Sequence, residues 1–213
     1  MEAYLGTVLI RFAHILFGVL WIGLLYYFNF VQTEYLKEAE PDAKSDVLKK
    51  LAPNALWWFR WAAFFTFLTG LYMLYVLQTG ASLMIILGAL MGTIMMLNVW
   101  GIIWRNQKIV IGIKEGDAAT AGAKAGLASR TNTLFSIPML WFMVYSAHGS
   151  AVGNVILSVE ESLTALWVGL LIILAIEANA VFGKMNAAIT SVKAVIHSGI
   201  ALTIILGLLV CYL

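Results

Sequence analysis

Histidine and cysteine, the side chains that most readily hold a transition metal, number three and one in this 213-residue chain. A single cysteine, Cys211, excludes an internal disulfide, CxxC and CxxCH motifs, and any cysteine-rich zinc or iron-sulfur site. A metal cofactor must therefore be held by histidine. His14 lies ten residues inside Tyr4 and His197 nine residues inside Ala188, each within a long apolar stretch. At ~1.5 Å per helical residue both fall roughly 13 to 15 Å deep in a membrane, near its midplane. Two neutral imidazoles at matching depth on different helices, each aimed at the bundle interior, are what a bis-histidine b-type haem requires, because the iron takes axial nitrogens from opposite sides. Gly18, one turn after His14, and Ala194 and Ala201, on the face of His197, are small enough to leave room for a flat porphyrin. The same histidines also fit a second role, hydrogen-bonding a hydroxyl or carbonyl across a helix interface. His148 follows Ser146 and Ala147 at the end of another apolar stretch, where it can cap a helix, ligate a second metal or haem, or receive an external electron donor.

The other chemistry-bearing positions within apolar sequence are Arg11, Arg60, Asn98, Asn132 and Glu177. An ionisable side chain at bilayer depth is costly and must be explained by a partner or a function. Arg60 lies six residues inside Asn54 and Glu177 six residues short of Gly183, so the two share a depth and can pair. Such a pair is a structural brace or part of a substrate site. In the second case Arg60, Arg105 or Arg130 presents a cation to a propionate or an anionic substrate. Arg11 sits one turn outward of His14, placed to serve a propionate or to snorkel to the surface. Gly88 and Gly92 form a GxxxG that admits a close helix neighbour, and Met139 and Met143, one turn apart, read as core filler, with Met143 also open as a haem ligand.

These residues need elements to position them, and the composition says which. Hydrophobic residues make up 62% of the chain and charged residues 11%, against about 45 to 50% and 25% in soluble domains. A water-soluble globular fold is excluded, and a net charge of +2 gives no reason to invoke nucleic acid. The fold class expected is all-α, an integral membrane bundle of six helices in one polytopic domain covering residues 1–213. The spans are expected near 4–30, 56–77, 83–104, 131–147, 163–182 and 188–212, the first a membrane span and not a signal peptide. The charged run from Lys37 to Lys50 is expected as a short surface helix, with Pro53 opening the second span. The Ala- and Gly-rich stretch from Lys114 to Gly126 is either a loop or an extension of the fourth span. Lys37, Lys44, Lys49, Lys50, Arg105, Lys108, Lys114, Lys124, Arg130 and Lys184 all fall at one end of the spans, whereas the connections at 78–82 and 148–162 contain no Lys or Arg. Both termini are therefore expected on the non-cytoplasmic side of a bacterial inner membrane.

Four strings carry a family resemblance: HILFGVLWIGLLYYFNFVQ (His14 to Gln32), ALWWFRWAAFFTFLTGL (Ala55 to Leu71), MLNVWGIIWRNQK (Met96 to Lys108) and SRTNTLFSIPMLWFMVYSAH (Ser129 to His148). With IEANA (Ile176 to Ala180) and the His197 helix, they resemble the N-terminal membrane domain of the bacterial membrane-bound urate oxidases. The resemblance implies a helix bundle that oxidises urate and passes electrons through a c-type cytochrome to the respiratory chain without making peroxide. It carries His14, Arg60, Asn98, Asn132, His148, Glu177 and His197 over as candidates without saying which hold a cofactor. Family members continue into a cytochrome c domain with CxxCH. With no such motif here, a separate c-type cytochrome or a larger membrane complex is expected as partner, with self-association also open. The family pattern has proline where this chain has Arg105, which adds a cation near the inner polar layer.

The leading expectation is thus a membrane redox protein with haem b between His14 and His197, an oxidoreductase if it is an enzyme. The alternative is a non-catalytic subunit of a larger respiratory or photosynthetic membrane complex. A transporter built on Arg60 and Glu177 is a third reading, without an inverted repeat to support it. Phosphoryl transfer, α/β-hydrolase and zincin chemistry lack their motifs.

Overall fold

The computed structural model describes residues 2–77, 80–148 and 162–213, with the backbone alone at residues 2–5. Among the described residues every regular element is helical: α1 (Glu2–Tyr26), α2 (Thr33–Glu38), α3 (Pro41–Asp46), α4 (Ala52–Leu77), α5 (Leu83–Asn98), α6 (Trp104–Val110), α7 (Ala118–His148), α8 (Leu163–Phe182) and α9 (Val192–Tyr212). Wide π-type turns at Tyr27–Gln32, Val47–Leu51 and Val99–Ile103 join α1 to α2, α3 to α4 and α5 to α6 without a break. Five continuous stretches are long and apolar enough to cross a bilayer, namely Gly6–Glu38, Pro41–Leu77, Leu83–Val110, Leu163–Phe182 and Val192–Tyr212. The chain is a multi-pass membrane protein.

α8 has the bounds expected from sequence. A short helix lies within the charged run as expected: α3 starts at Pro41, which follows Glu40 with φ −63° and ψ 154° and occupies the first helical turn, where its missing N–H is harmless. Pro53 falls in the first turn of α4, at the entry to the second span as expected, but a π-type turn joins α3 and α4 without a break. Ala52 N–H bonds to the Val47 carbonyl five residues back, and this widened turn accommodates a residue with no N–H to donate.

α6 ends in a Schellman turn. Gly112, at φ 79°, donates to the Ile109 carbonyl, and Ile113 N–H reaches the Lys108 carbonyl at 2.8 Å. Seven residues later α7 is under way. The stretch expected as loop or extension is an extension from Ala118, capped by Asp117, whose carboxylate accepts the Ala119 N–H at 3.0 Å and the Thr120 hydroxyl. The Thr120 hydroxyl and these backbone N–H groups hold the Asp117 carboxyl below its usual range. α7 runs through Pro138 and buries Arg130, Thr131, Asn132, Thr133 and Ser136, which makes it the most polar of the long helices. Of the Lys- and Arg-free connections expected at 78–82 and 148–162, residues 78–79 and 149–161 lie outside the described residues.

The chain divides into two compact units. Unit 1 comprises Met1–Met73 and Met96–Asn132, and unit 2 comprises Leu74–Met95 and Thr133–Leu213. In unit 1, Trp21, Leu25, Phe59, Ala62, Ala63, Val99, Ala125 and Ala128 are buried. In unit 2 the buried set includes Leu83, Leu87, Met91, Phe135, Phe142, Ile173, Val195 and Leu206. Glycines set the spacing there. A Cβ at Gly88 would lie 3.2 Å from Phe142 Cβ, and one at Gly92 would lie 3.4 Å from Met139 Sδ, so the GxxxG of α5 receives α7. Met139 and Met143 are accordingly packed on those glycines. Large apolar side chains such as Phe12, Ile15 and Val19 on α1 and Trp167 and Leu171 on α8 remain exposed, as lipid-facing rows do.

Candidate functional site

In unit 1, His14 is half-buried against α4. Its Nδ1 lies 2.9 Å from the Thr66 carbonyl and 3.0 Å from Thr69 Oγ1. The Thr69 hydroxyl has one proton, and it is directed at the helix's own carbonyls, Phe65 at 2.7 Å and Thr66 at 3.0 Å. Nδ1 therefore faces two acceptors and must itself carry a proton. A neutral ring with Nδ1–H has its lone pair on Nε2, the state in which imidazole binds a metal and the usual second-sphere arrangement of a metal-bound histidine. Gly70 permits the approach, since a Cβ there would stand 3.2 Å from His14 Cε1. Gly18 faces Thr66 at ordinary contact distance, so its smallness serves the approach of α4. Phe17 stacks on Phe65 with ring centroids 5.1 Å apart and fixes the same interface. Arg11, one turn outward, is exposed.

Farther along unit 1 the polar groups gather around α7. Asn98 donates to Asn132 at 3.0 Å, both fully inside. Asn29 donates to the Leu25 carbonyl and to Ser129 Oγ at 2.8 Å, which ties the end of the first helix to α7. Arg130 is 5% exposed, and its nearest acid is Glu34 at a loose 3.8 Å. Its Nη1 is buried with no acceptor, and Gln32 Oε1, one turn beyond Asn29, is buried with no donor. Arg60 places its guanidinium 3.9 Å from the ring centre of Trp104, while its own carbonyl accepts the Trp100 Nε1–H at 3.2 Å. Its Nη1 is also buried without an acceptor. Unsatisfied buried donors of this kind are rare and mark places where an anion would be stabilised.

Unit 2 holds the remaining candidates. His197 is exposed on α9, on the ridge of Lys193, Ile200, Ala201 and Ile204, whereas Val195, Gly199, Leu202 and Leu206 form the buried face, so within its unit the ring is not turned to the interior as expected. Glu177 is half-buried in α8. His148 is exposed at the last residue of α7, and its Nδ1 lies 3.1 Å from the Val144 carbonyl. It closes its own helix end, the capping role. Among the described residues no three His, Cys, Asp or Glu side chains cluster as a metal site.

Thr66, Thr69 and Gln32 were not singled out from sequence. Their signal is weak, because hydroxyls in apolar helices usually bond back to their own backbone, as Thr66 does to Ala62. The fold defines a multi-pass helical membrane protein whose apolar helices carry half-buried and buried histidine and arginine side chains. Residues 78–210, more than half of the chain, match the protein-family model described as urate oxidase N-terminal, and the chain belongs to that family. No curated protein and no solved structure matches it.

Proposed function

We propose that the chain is the membrane-embedded redox component of a urate-oxidising system, with haem b held by His14 and His197. The observation that carries this reading is the position of His14 Nδ1, 2.9 Å from the Thr66 carbonyl and 3.0 Å from the Thr69 hydroxyl, in a chain of the urate oxidase N-terminal family; the contact favours the Nδ1–H form, whose Nε2 can be a ligand. Haem, when bound, supplies one-electron transfer. The chain's own part is to hold the imidazole, through the Thr66 carbonyl, the Thr69 hydroxyl and the close approach at Gly70, and to offer the exposed His197 ring as the second nitrogen. Urate is an anion with N–H groups beside carbonyls. Arg130 and Gln32, one with an unused donor and the other with an unused acceptor, suit such a ligand.

In this reading six spans cross the bacterial inner membrane, α7 supplying the fourth. The Lys- and Arg-bearing connections are cytoplasmic and both termini are outside. Electrons leave to a c-type cytochrome or a larger complex. Proteoliposomes containing haem-replete protein and added cytochrome c should show urate-dependent cytochrome reduction that is lost in His14→Ala and reduced in Arg130→Gln. Folded wild-type protein that passes no electrons from urate would overturn the proposal. A second reading has a specific observation behind it. Two threonine contacts on one nitrogen also make His14 a brace between α1 and α4, as a non-catalytic subunit of a larger complex would need.

A further inference from the structure

Residues 47–114 contain no Asp or Glu but carry Lys49, Lys50, Arg60, Arg105, Lys108 and Lys114. Within this stretch two cations converge on one aromatic ring. Arg60 lies over Trp104 at 3.9 Å, and Lys108, one turn after Trp104 on α6, has its Nζ 5.7 Å from the same ring centre. The Arg60 Nη1 is buried and has no acceptor. Two like charges held beside one indole repel each other, and the ring quadrupole compensates only in part. An anion held by both would relieve that repulsion and give the Arg60 Nη1 its acceptor.

The surroundings indicate which anion. Trp57 and Trp58 are exposed, and Trp57, Trp61 and Trp100 form a chain of ring contacts, with Trp61 and Trp100 centroids 5.4 Å apart, that reaches Arg60 through the Trp100 Nε1–H on its carbonyl. Such a belt marks the depth of lipid headgroups. The anion present at that depth at high local concentration is the phosphodiester, whose two non-ester oxygens can accept from a guanidinium and an ammonium together. We infer that Arg60, Lys108 and Trp104 form a binding site for the phosphodiester headgroup of an anionic phospholipid.

The full chain, purified in a neutral detergent, would be titrated with short-chain phosphatidylglycerol, with the matching phosphatidylcholine, and with inorganic phosphate. Binding would be read by native mass spectrometry and by the shift in thermal unfolding. Phosphatidylglycerol should bind and raise the unfolding temperature. Its affinity should fall about tenfold in Arg60→Gln and about threefold in Lys108→Gln, and be unchanged in Lys50→Gln, with phosphatidylcholine binding at least about tenfold more weakly. Should Arg60→Gln fail to fold, Arg60→Lys and Lys108→Gln carry the test, each expected to weaken phosphatidylglycerol binding. Equal binding of phosphatidylglycerol by wild type and these variants would overturn the proposal. Saturation of the same shift by submillimolar inorganic phosphate would also overturn it, since the ligand would then be a free anion.

Discussion

The His14–Gly70 contact makes a sharp prediction because two opposing effects can be sized. In Gly70→Ala the new Cβ would sit 3.2 Å from His14 Cε1 and 3.6 Å from Nδ1, so the ring must yield by a few tenths of an ångström. That displacement stretches the 2.9 Å bond to the Thr66 carbonyl toward the limit of useful geometry. A hydrogen bond with a net worth of ~0.5–1.5 kcal/mol is thereby weakened. Against this, replacing a helical glycine by alanine gains up to ~1 kcal/mol. The two nearly cancel, and Gly70→Ala should leave stability close to wild type. Gly23, inside α1, meets nothing within 4 Å and isolates the second effect. Gly23→Ala should stabilise by ~0.5–1 kcal/mol. Reversible unfolding by sodium dodecyl sulfate in mixed micelles, followed by circular dichroism, measures both, and repeating it in a His14→Ala background should bring the two substitutions level. Equal stabilisation by Gly70→Ala and Gly23→Ala in the wild-type background would refute the placement of the His14 ring.

Two further outcomes are expected. Asn98→Ala and Asn132→Ala should each destabilise, and a double-mutant cycle should give a coupling of ~0.5–2 kcal/mol, within the range of intramembrane hydrogen bonds; strict additivity would mean the 3.0 Å contact contributes nothing. Asp117 has a depressed folded-state pKa, so its contribution is fully present above the unfolded value, near about pH 4, and is lost as pH falls through the lower folded value. The acid limb of the stability profile should therefore be steeper in wild type than in Asp117→Asn, and parallel limbs would contradict the cap.

Much of this architecture is legible in the residues because a bilayer imposes length and polarity directly. α8, bounded by Ser162, whose side chain accepts the Ala165 N–H at 3.3 Å, and by Gly183, has the bounds the hydropathy gives. The join before the second span is less legible. Pro53 marks the first turn of α4, and only the bond from Ala52 N–H to the Val47 carbonyl shows that the backbone widens to carry α3 into it without a break. α7 was half legible, since Ala and Gly between 114 and 126 suit a loop as well as a close-packed helix, and Ala121, Ala125 and Ala128 turn out to be buried. Depth arithmetic singled out His14, but one of its partners is the Thr66 main-chain carbonyl, which no side chain announces, and the other is a threonine hydroxyl that composition does not distinguish from others. For Arg60 the depth match suggested Glu177, whereas the contact within its own unit is the face of Trp104. Ring faces carry no formal charge and leave no mark in a charge pattern.

Whether His14 presents Nε2 to a haem is decided by a reduced-minus-oxidised visible spectrum of the purified protein from haem-replete cells, repeated on His14→Ala and His197→Ala. A b-type α-band is expected in wild type and is expected to disappear in both variants. A folded wild-type protein without that band, or a band that persists unchanged in His14→Ala, would contradict the proposal.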